Sequence, residues 1–231
     1  MKRTKHFVSK IPIIGPALVR LYVWSADRQF RQSSSYWESR YVSGGNSGDG
    51  SYGKLATFKA DVLNALVDEF DLNSLIEFGC GDGNQLMLAN YPKYVGFDVS
   101  QTAIDMCSEI FDGDATKSFA LMADYNSEVA ECALSLDVIF HLVEDDVFSK
   151  YMRTLFSASS RLVIIYASNT DQQDRPKLPH VRHRQFTNWI EENRPDWSLL
   201  RTVENKFPYE EMSGMGSPAS FYIYENPGAE S

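Results

Sequence analysis

The stretch EFGCGDGN, which begins at Glu77, alternates glycines with other residues in a way that lets a backbone approach a ligand closely. Its glycines are Gly79, Gly81 and Gly83. This spacing differs from the GxGxxG of dinucleotide-binding loops, and Asp82 lies within the turn where a pyrophosphate would approach and be repelled. Glu77 and Asp82 instead favour a ligand that has a cationic portion.

A further acid, Asp98, ends the apolar run YVGFDV and lies 19 residues after Gly79. In open α/β sheets, an acid at about this distance from the glycine loop hydrogen-bonds the ribose hydroxyls of a bound nucleotide. A nucleoside that carries positive charge therefore fits both the glycine stretch and Asp98.

His141 follows the predicted fourth strand, in the segment HLVED. Histidine can remove a proton near neutral pH, so His141 is a candidate general base if the reaction needs one. The alternative is a structural histidine that caps the next helix or holds a cofactor. Asp137, His141 and Asp145 recur at four-residue steps, but the predicted change from strand to helix between them prevents a shared face, and we expect no metal site.

The segment RPKLPHVRHR, residues 175–184, contains cations and histidines without any acid. These residues are Arg175, Lys177, His180, Arg182, His183 and Arg184. Because arginine pairs bind carboxylates and phosphates in a forked geometry, the segment predicts an anionic substrate held by Lys177, Arg182 and Arg184. His183 or His180 is then a second candidate base. The alternatives are a solvated basic loop and a contact to acidic lipid or a partner subunit.

Strand and helix patterns alternate along most of the chain, and they must position these residues. The predicted strands are SLIEF, YVGFDV, FALMAD, CALSLDVIF, RLVIIYAS, WSLLRTV and SFYIYE. The predicted helices run from Leu55 to Phe70, over residues 84–90, after a cap at Ser100, and from Val147 to Phe156. This order predicts an α/β fold with a mostly parallel sheet, helices on both faces and an antiparallel last strand. Ligands of such sheets bind beyond the carboxyl ends of the strands, where the glycine stretch, Asp98 and His141 fall.

Composition limits the classes of function. The chain has 231 residues, 43% of them hydrophobic, which suits one domain with a single core. Its net charge of -9 disfavours nucleic acid as a partner, since that affinity comes from lysines and arginines that neutralise phosphates. Three scattered cysteines suit neither a disulfide framework nor a zinc site, so we expect a cytoplasmic protein.

The start of the chain differs from the rest. MKRTKHFVSK is basic, and IPIIGPALV is apolar over nine residues, which is too short to span a bilayer. Two prolines, a glycine and the lack of a clear cleavage site argue against a signal peptide. We expect residues 1–35 to form an amphipathic appendage to a domain of residues 36–231. Residues 1–30 would contact the inner face of a membrane or, alternatively, pack on the domain or on a partner.

Five segments together resemble the class I S-adenosylmethionine-dependent methyltransferases, over roughly residues 36–225. The segments are EFGCGDG, GFDVS, ADY at residues 123–125, LSLDVIFHLVED, and YWESRY at residues 36–41. The resemblance implies a Rossmann-like seven-stranded sheet with an antiparallel last strand, S-adenosylmethionine as the cofactor and methyl transfer as the activity. One departure is Glu131, which stands where the family usually has an aspartate at the start of the fourth strand.

The family's pattern also implies which residues contact the cofactor. They are Trp37, Arg40, Glu77, Gly79, Gly81, Gly83, Asp98, Asp124 and Tyr125. By that pattern Glu77 and the glycines serve the methionyl portion, Asp98 the ribose and Asp124 the adenine. The glycine-rich residues 42–53 suggest a mobile loop between the appendage and the main domain. Within it, SGDGSYG at residues 47–53 suggests a lid that closes over the cofactor or the acceptor, with Tyr52 as a candidate acceptor contact. The alternative for this segment is a disordered tether.

The resemblance favours O-methylation of a small molecule. The chain has no NPPY-like tetrad and no Pro-Cys pair after the fourth strand, which argues against methylation of base amines or of cytosine C5. The segments YWESRY, GGNSGDGSYG and GCGDGN also resemble bacterial methyltransferases encoded beside glycosyltransferases. This resemblance suggests that the acceptor is a sugar, a sugar phosphate or a glycan precursor in polysaccharide biosynthesis. A non-catalytic cofactor-binding subunit of a membrane-associated glycan assembly and a protein or peptide methyltransferase stay open. The oligomeric state also stays open.

Overall fold

Seven strands form one sheet in the computed structural model, which describes residues 33–173, 178–210 and 215–228. They are β1 (Leu75–Phe78), β2 (Tyr94–Asp98), β3 (Lys117–Leu121), β4 (Ala130–Leu136), β5 (Ser159–Ala167), β6 (Ser198–Val203) and β7 (Ser220–Glu225). Across the sheet they lie in the order β3-β2-β1-β4-β5-β7-β6, and β7 runs antiparallel to both of its neighbours, β5 and β6, whereas all other neighbouring pairs are parallel. The predicted mostly parallel sheet with an antiparallel last strand is confirmed.

Five helices of the described residues accompany the sheet. They are α1 (Ser33–Val42), α2 (Gly53–Glu69), α3 (Gln101–Ile110), α4 (Asp145–Ser157) and α5 (Phe186–Asn193). The apolar faces of α2 and α3 contribute to one core cluster, and those of α4 and α5 contribute to another. Strands β1, β4 and β5 supply residues to both clusters, as apolar strands of a parallel sheet do when helices cover both faces.

The order of the strands reverses between β1 and β4, which are neighbours in space although β2 and β3 lie between them in sequence. The chain leaves β1 toward β2 on one side and leaves β4 toward β5 on the other. A crevice therefore opens at the carboxyl ends of β1 and β4, and this is the place where open α/β sheets bind ligands.

Several local predictions can be compared with the structure. Ser100 caps α3 as expected, because its hydroxyl accepts a hydrogen bond from the Ala103 N–H at 3.1 Å. The helix predicted over 84–90 was wrong, since only a single 3₁₀ turn forms at Leu86–Leu88. Seven residues are too few for a stable helix, and Pro92 disfavours helical backbone just before it. No strand or helix was predicted where α5 lies.

The predicted start of the domain, at residue 36, falls within a helix. Helix α1 begins at Ser33, so its first three residues belong to the predicted appendage, and Glu38 in this helix accepts a hydrogen bond from Thr102 Oγ1 at 2.9 Å. Residues 1–32, on which the membrane prediction depends, lie outside the described residues, so the domain boundary stays a prediction. Of the helices described, none is long and apolar enough to cross a membrane.

Candidate functional site

A cavity of about 460 Å³ opens at the carboxyl ends of β1, β2 and β4, where the strand order reverses. Its walls come from α1, the loop after β1, the turn after β4 and the first turn of α4. Six residues predicted from the sequence line it: Trp37, Glu77, Gly79, Gly81, Asp98 and His141. The structure thus brings together most of the predicted cofactor contacts and one candidate base.

The loop after β1 needs glycine for two reasons. Gly79 and Gly81 have φ of 91° and 63°, in the left-handed region that favours glycine. A Cβ at Gly79 would lie 2.5 Å from Val138 Cγ2, and a Cβ at Gly81 would collide with Ser47 Oγ. Gly83 has φ of 78° but does not line the cavity; a Cβ there would lie 3.2 Å from Cys107 Sγ, so this glycine allows the loop to pack on α3.

Asp82 does not line the cavity, and it holds the glycine-rich segment of residues 43–53, which we call the lid. One oxygen of its buried carboxylate accepts hydrogen bonds from the Ser47 N–H at 2.8 Å and from the Tyr52 hydroxyl at 2.7 Å. Arg40 donates to the Asn46 carbonyl at 2.6 Å. The side chains of Arg40 and Tyr52 therefore fasten the lid and are not among the residues that border the cavity.

Glu77 and Asp98 are buried carboxylates at the ends of neighbouring strands. The Tyr94 hydroxyl donates to Glu77 at 2.6 Å, but burial dominates and raises the pKa of Glu77 to about 7. Asp98 accepts hydrogen bonds from the N–H groups of Gly81 and Ser100, each at 3.0 Å. Burial raises the pKa of Asp98, while those backbone bonds oppose the change. Both carboxylates line the cavity.

The predicted adenine contacts lie further out. Asp124 follows β3 and is exposed, and the ring of Tyr125 packs edge-on against Phe78 and Phe97 at 5.2 and 5.3 Å. Neither residue borders the cavity, whereas Met122, two residues before Asp124, does. The adenine role of Asp124 and Tyr125 therefore stays a prediction.

Lys59 and Asp137 form a buried ion pair that the sequence reasoning missed. Lys59 Nζ lies 2.7 Å from Asp137 Oδ2, and the lysine side chain is 1% exposed. Both residues line the cavity, and the Lys59 ammonium also lies 5.4 Å from the centre of the Tyr166 ring. A signal was present in the sequence, because Lys59 interrupts the apolar stripe of α2 that contains Leu55 and Leu66.

Gln85 is a second lining residue that was missed. Its Nε2 donates to the Ala56 carbonyl at 3.1 Å, but its buried Oε1 has no hydrogen-bond partner among the described residues. A buried acceptor without a donor is costly, so a donor from a ligand would be favourable here. The residue directly follows the EFGCGDGN stretch, which gave no hint of this role.

His141 lines the cavity from the 3₁₀ turn that follows β4. Its Nδ1 is 2.9 Å from the His180 carbonyl oxygen. Because a carbonyl oxygen can only accept, Nδ1 carries the proton, and Nε2 retains its lone pair. Burial lowers the pKa of His141 to about 4, with Arg40 and His183 adding to that effect, so the ring is neutral near pH 7. The Trp37 ring packs edge-on against it at 4.8 Å.

The described part of the basic segment after β5, residues 178–184, does not border the cavity with its side chains. His183 is buried and contacts the Ser168 hydroxyl at 2.6 Å, and the His180 ring stacks on Tyr36 at 4.4 Å. The guanidinium groups of Arg182 and Arg184 contact Asp145 at 2.9 and 3.0 Å. Arg175 and Lys177 lie outside the described residues.

The cavity is strongly acidic. Its charged lining consists of the carboxylates of Glu77, Asp98, Asp137, Glu144 and Asp146 and the ammonium of Lys59. Within residues 33–173, 178–210 and 215–228, no group of three or more histidine, cysteine or acidic side chains is arranged to hold a metal ion. The lining suits a ligand with positive charge.

Three solved structures resemble this chain. The N-methyltransferase NodS from Bradyrhizobium japonicum WM9, in complex with S-adenosyl-L-homocysteine, has a TM-score of 0.65 at 12% identity, covering 85% of this chain and 100% of NodS. The magnesium protoporphyrin IX methyltransferase ChlM from Synechocystis PCC 6803, with the same compound bound, has a TM-score of 0.59 at 16% identity, covering 84% and 97%.

The third is the methyltransferase domain of bacterial CtHen1-C, with a TM-score of 0.58 at 17% identity, covering 73% of this chain and 97% of that domain. No protein-family model matches the sequence, and no curated protein matches it. At these identities the likeness shows the fold, which is the Rossmann-like methyltransferase fold.

Proposed function

We propose that the protein is an S-adenosylmethionine-dependent methyltransferase that acts on a small-molecule acceptor. The observation that carries the proposal is the cavity at the reversal of strand order, which combines a close-approach glycine loop with Asp98 at the end of β2. The three similar structures are methyltransferases, and NodS and ChlM hold S-adenosylhomocysteine, which supports the same cofactor here.

The described residues fit this cofactor. The lining has more carboxylates than cations, which favours a ligand with a sulfonium and an ammonium group. The unpaired Oε1 of Gln85 suits an N–H donor, and Lys59 beside Asp137 offers opposite charges for the two ends of an amino-acid group. Asp98 would hold the ribose hydroxyls. When bound, S-adenosylmethionine supplies an electrophilic methyl group on a positively charged sulfur.

The remaining chemistry falls to this chain's own residues. Displacement requires the acceptor atom and the methyl group to be aligned in a site with little water, and the lid and α1 enclose the cavity. If the acceptor is a hydroxyl, its proton must be removed. His141 is the candidate base that lines the cavity, and the proton would pass to its Nε2 lone pair.

The finer class of acceptor is less supported than the reaction. An anionic acceptor was predicted from Lys177, Arg182 and Arg184, but the two described arginines direct their guanidinium groups at Asp145 and at backbone carbonyls. The acidic lining favours a neutral or cationic acceptor instead. O-methylation, a sugar or glycan acceptor, a cytoplasmic location and membrane contact through residues 1–30 stay predictions.

Titration with S-adenosylmethionine and S-adenosylhomocysteine tests the proposal. We expect both to bind to the wild type, and Asp98→Ala to weaken S-adenosylhomocysteine about 100-fold, because roughly 3 kcal/mol of charge-assisted hydrogen bonds are lost. Asp105→Ala, an exposed acid on α3, is the matched control and should leave the affinity unchanged. A wild type that binds neither compound would overturn the proposal.

Transfer of label then tests catalysis. The protein is incubated with isotope-labelled S-adenosylmethionine and a metabolite extract, and the labelled product is identified by mass spectrometry. His141→Gln should reduce the labelled product by at least about 100-fold if His141 removes the proton. Binding of the cofactor without any transfer to any extract would favour a non-catalytic subunit.

A further inference from the structure

The loop of residues 178–184, which we call the brace, runs along the turn that carries His141. The backbone of the brace forms two hydrogen bonds with this turn. The Arg182 N–H donates to the Phe140 carbonyl at 2.8 Å, and the His180 carbonyl accepts from His141 Nδ1 at 2.9 Å. A segment about 40 residues away in sequence therefore contacts both the histidine and the residue before it.

Arg184 continues the same line of contacts with its side chain, which is 10% exposed. Nη1 donates to the Leu142 carbonyl at 2.5 Å, and Nη2 donates to the Val143 carbonyl at 2.8 Å and to Asp145 Oδ1 at 3.0 Å. The guanidinium group also lies 4.7 Å from the centre of the Phe148 ring. These contacts engage both terminal nitrogens of the guanidinium group, so Arg184 is poorly placed to bind an acceptor.

The turn needs this support because it lies between β4 and α4, outside regular structure. A 3₁₀ turn ends at His141, and the carbonyls of Leu142 and Val143 then accept from arginine side chains. Buried carbonyls without donors cost free energy. Without Arg184 the turn would lose its donor at Leu142 and one of two arginine donors at Val143, because Arg182 also donates to Val143 at 3.0 Å.

Aromatic rings from α1 and from the brace also pack around the His141 ring. The rings of Tyr36, His180 and His141 lie nearly parallel, with centroids 4.4 and 5.8 Å apart in succession. The Trp37 ring meets His141 edge-on at 4.8 Å. The position of the His141 ring is thus set by α1 and the brace together.

We infer that Arg184 and the His180 carbonyl are positioning groups: they hold His141 in the tautomer with the proton on Nδ1, so that Nε2 is the nitrogen with a lone pair. The use of that lone pair in catalysis rests on the proposed function, whereas the tautomer itself does not. In this inference the brace, residues 178–184 of the basic segment, serves the histidine.

Nuclear magnetic resonance on protein labelled with ¹⁵N in its histidine rings tests the inference. The signals of His141 are assigned with His141→Gln. In the wild type we expect the Nδ1–H tautomer between pH 6 and 8. In Arg184→Met, which keeps an apolar stem over Phe148, we expect the tautomer ratio to change at least tenfold and the pKa of His141 to rise toward its ordinary range as the turn opens to water.

Arg201→Met is the matched control, since Arg201, on the distant strand β6, forms an arginine-carboxylate pair with Glu69 at the end of α2. It should leave the His141 signals unchanged. If Arg184→Met does not fold, Arg184→Lys is measured; a lysine supplies a charge but no fork, and the ratio should change in the same direction. A wild type with the proton on Nε2, or His141 signals that are unaltered in the Arg184 variant, would overturn the inference.

The outcome can be separated from failure of the proposed function. If the wild type binds no S-adenosylmethionine, the methyltransferase proposal is wrong, but the result on the tautomer of His141 still stands. If the cofactor binds, Arg184→Met should change its dissociation constant by less than about twofold, because Arg184 does not line the cavity.

Discussion

The two ends of the cavity are built in different ways. At the glycine-loop end, Gly79, Gly81 and Asp98 all belong to the unit formed by β1, its loop and β2. Within this unit the Gly81 N–H donates to Asp98, and the Gly79 N–H donates to the Phe97 carbonyl. At the histidine end, the turn that carries His141 is held by α1 and by the brace. One of those contacts, between Ser33 Oγ and Glu144 at 2.7 Å, joins residues 111 positions apart.

The comparison shows that a short sequence motif can specify the glycine-loop end, whereas the histidine end forms only when distant segments of the folded chain come together. The glycine-loop end depends on backbone conformation within a few residues, and a motif records it well. The histidine end depends on donors and carbonyls that come from three segments. Its chemistry is therefore decided by packing, which the residue types alone do not reveal.

The ion pair between Lys59 and Asp137 joins α2, which follows the lid in sequence, to the start of the turn that leads to His141, and both residues line the cavity. We expect Lys59→Met to have the largest effect of the single changes. It leaves a largely buried carboxylate without a partner and should lower the free energy of unfolding by about 3–5 kcal/mol. Thermal unfolding should occur roughly 10 °C lower.

Lys150→Met, at an exposed position on α4, is the control and should change the stability by less than about 0.5 kcal/mol. The double variant Lys59→Met with Asp137→Asn should recover part of the loss, because no unpaired charge remains. A Lys59→Met protein as stable as the wild type would mean that the Asp137 carboxylate does not need Lys59 as its partner.

Prediction from sequence succeeded where a pattern reports on local geometry. The apolar runs predicted all seven strands, and the absence of a helix between the last two predicted the antiparallel strand β7. Positive φ at Gly79 and Gly81 follows from the motif itself. The role of Asp82 was less accessible, since its carboxylate holds Ser47, a residue 35 positions away.

The basic segment shows why other features of the site could not be predicted from the sequence. Four cations in residues 175–184, a stretch without an acid, resemble an anion site in the sequence. In the structure, however, Arg182 and Arg184 contact Asp145 and the carbonyls of residues 142–143. Lys59 was hidden for the opposite reason, because a single lysine in an apolar stripe carries little weight until its partner Asp137 is known.

The pH dependence of stability tests the glycine-loop end. Burial raises the pKa of Glu77 from its ordinary 4.5 to about 7, so the folded state binds this proton more tightly than the unfolded state. The contribution of Glu77 is fully present below pH 4.5 and is lost as the pH rises through 7. We expect Glu77→Gln to gain about 3 kcal/mol of stability relative to the wild type between pH 4.5 and 7.5.

The measurement is urea unfolding of both proteins at each pH, in which other carboxylates cancel in the difference. Glutamine is a suitable replacement because its oxygen can still accept from the Tyr94 hydroxyl, which now bonds Glu77 at 2.6 Å. A difference that does not change with pH would show that Glu77 titrates as an ordinary carboxyl, and the glycine-loop end would then be wetter than its burial indicates.

The smallest expected effect on stability concerns Gly81, where a comparison of two variants separates backbone strain from the close contact with Ser47. Gly81→Ala places a Cβ against Ser47 Oγ in the lid at a φ of 63°, whereas Gly113→Ala creates similar strain at a φ of 80° with no atom within 4 Å. Both should lose about 1–2 kcal/mol of stability. Only Gly81→Ala should weaken S-adenosylhomocysteine, about 30-fold or roughly 2 kcal/mol, because the lid must shift. Calorimetric titration measures the affinity of each variant for S-adenosylhomocysteine. Equal affinities would mean that the close approach of Gly81 to Ser47 in the lid does not matter for binding.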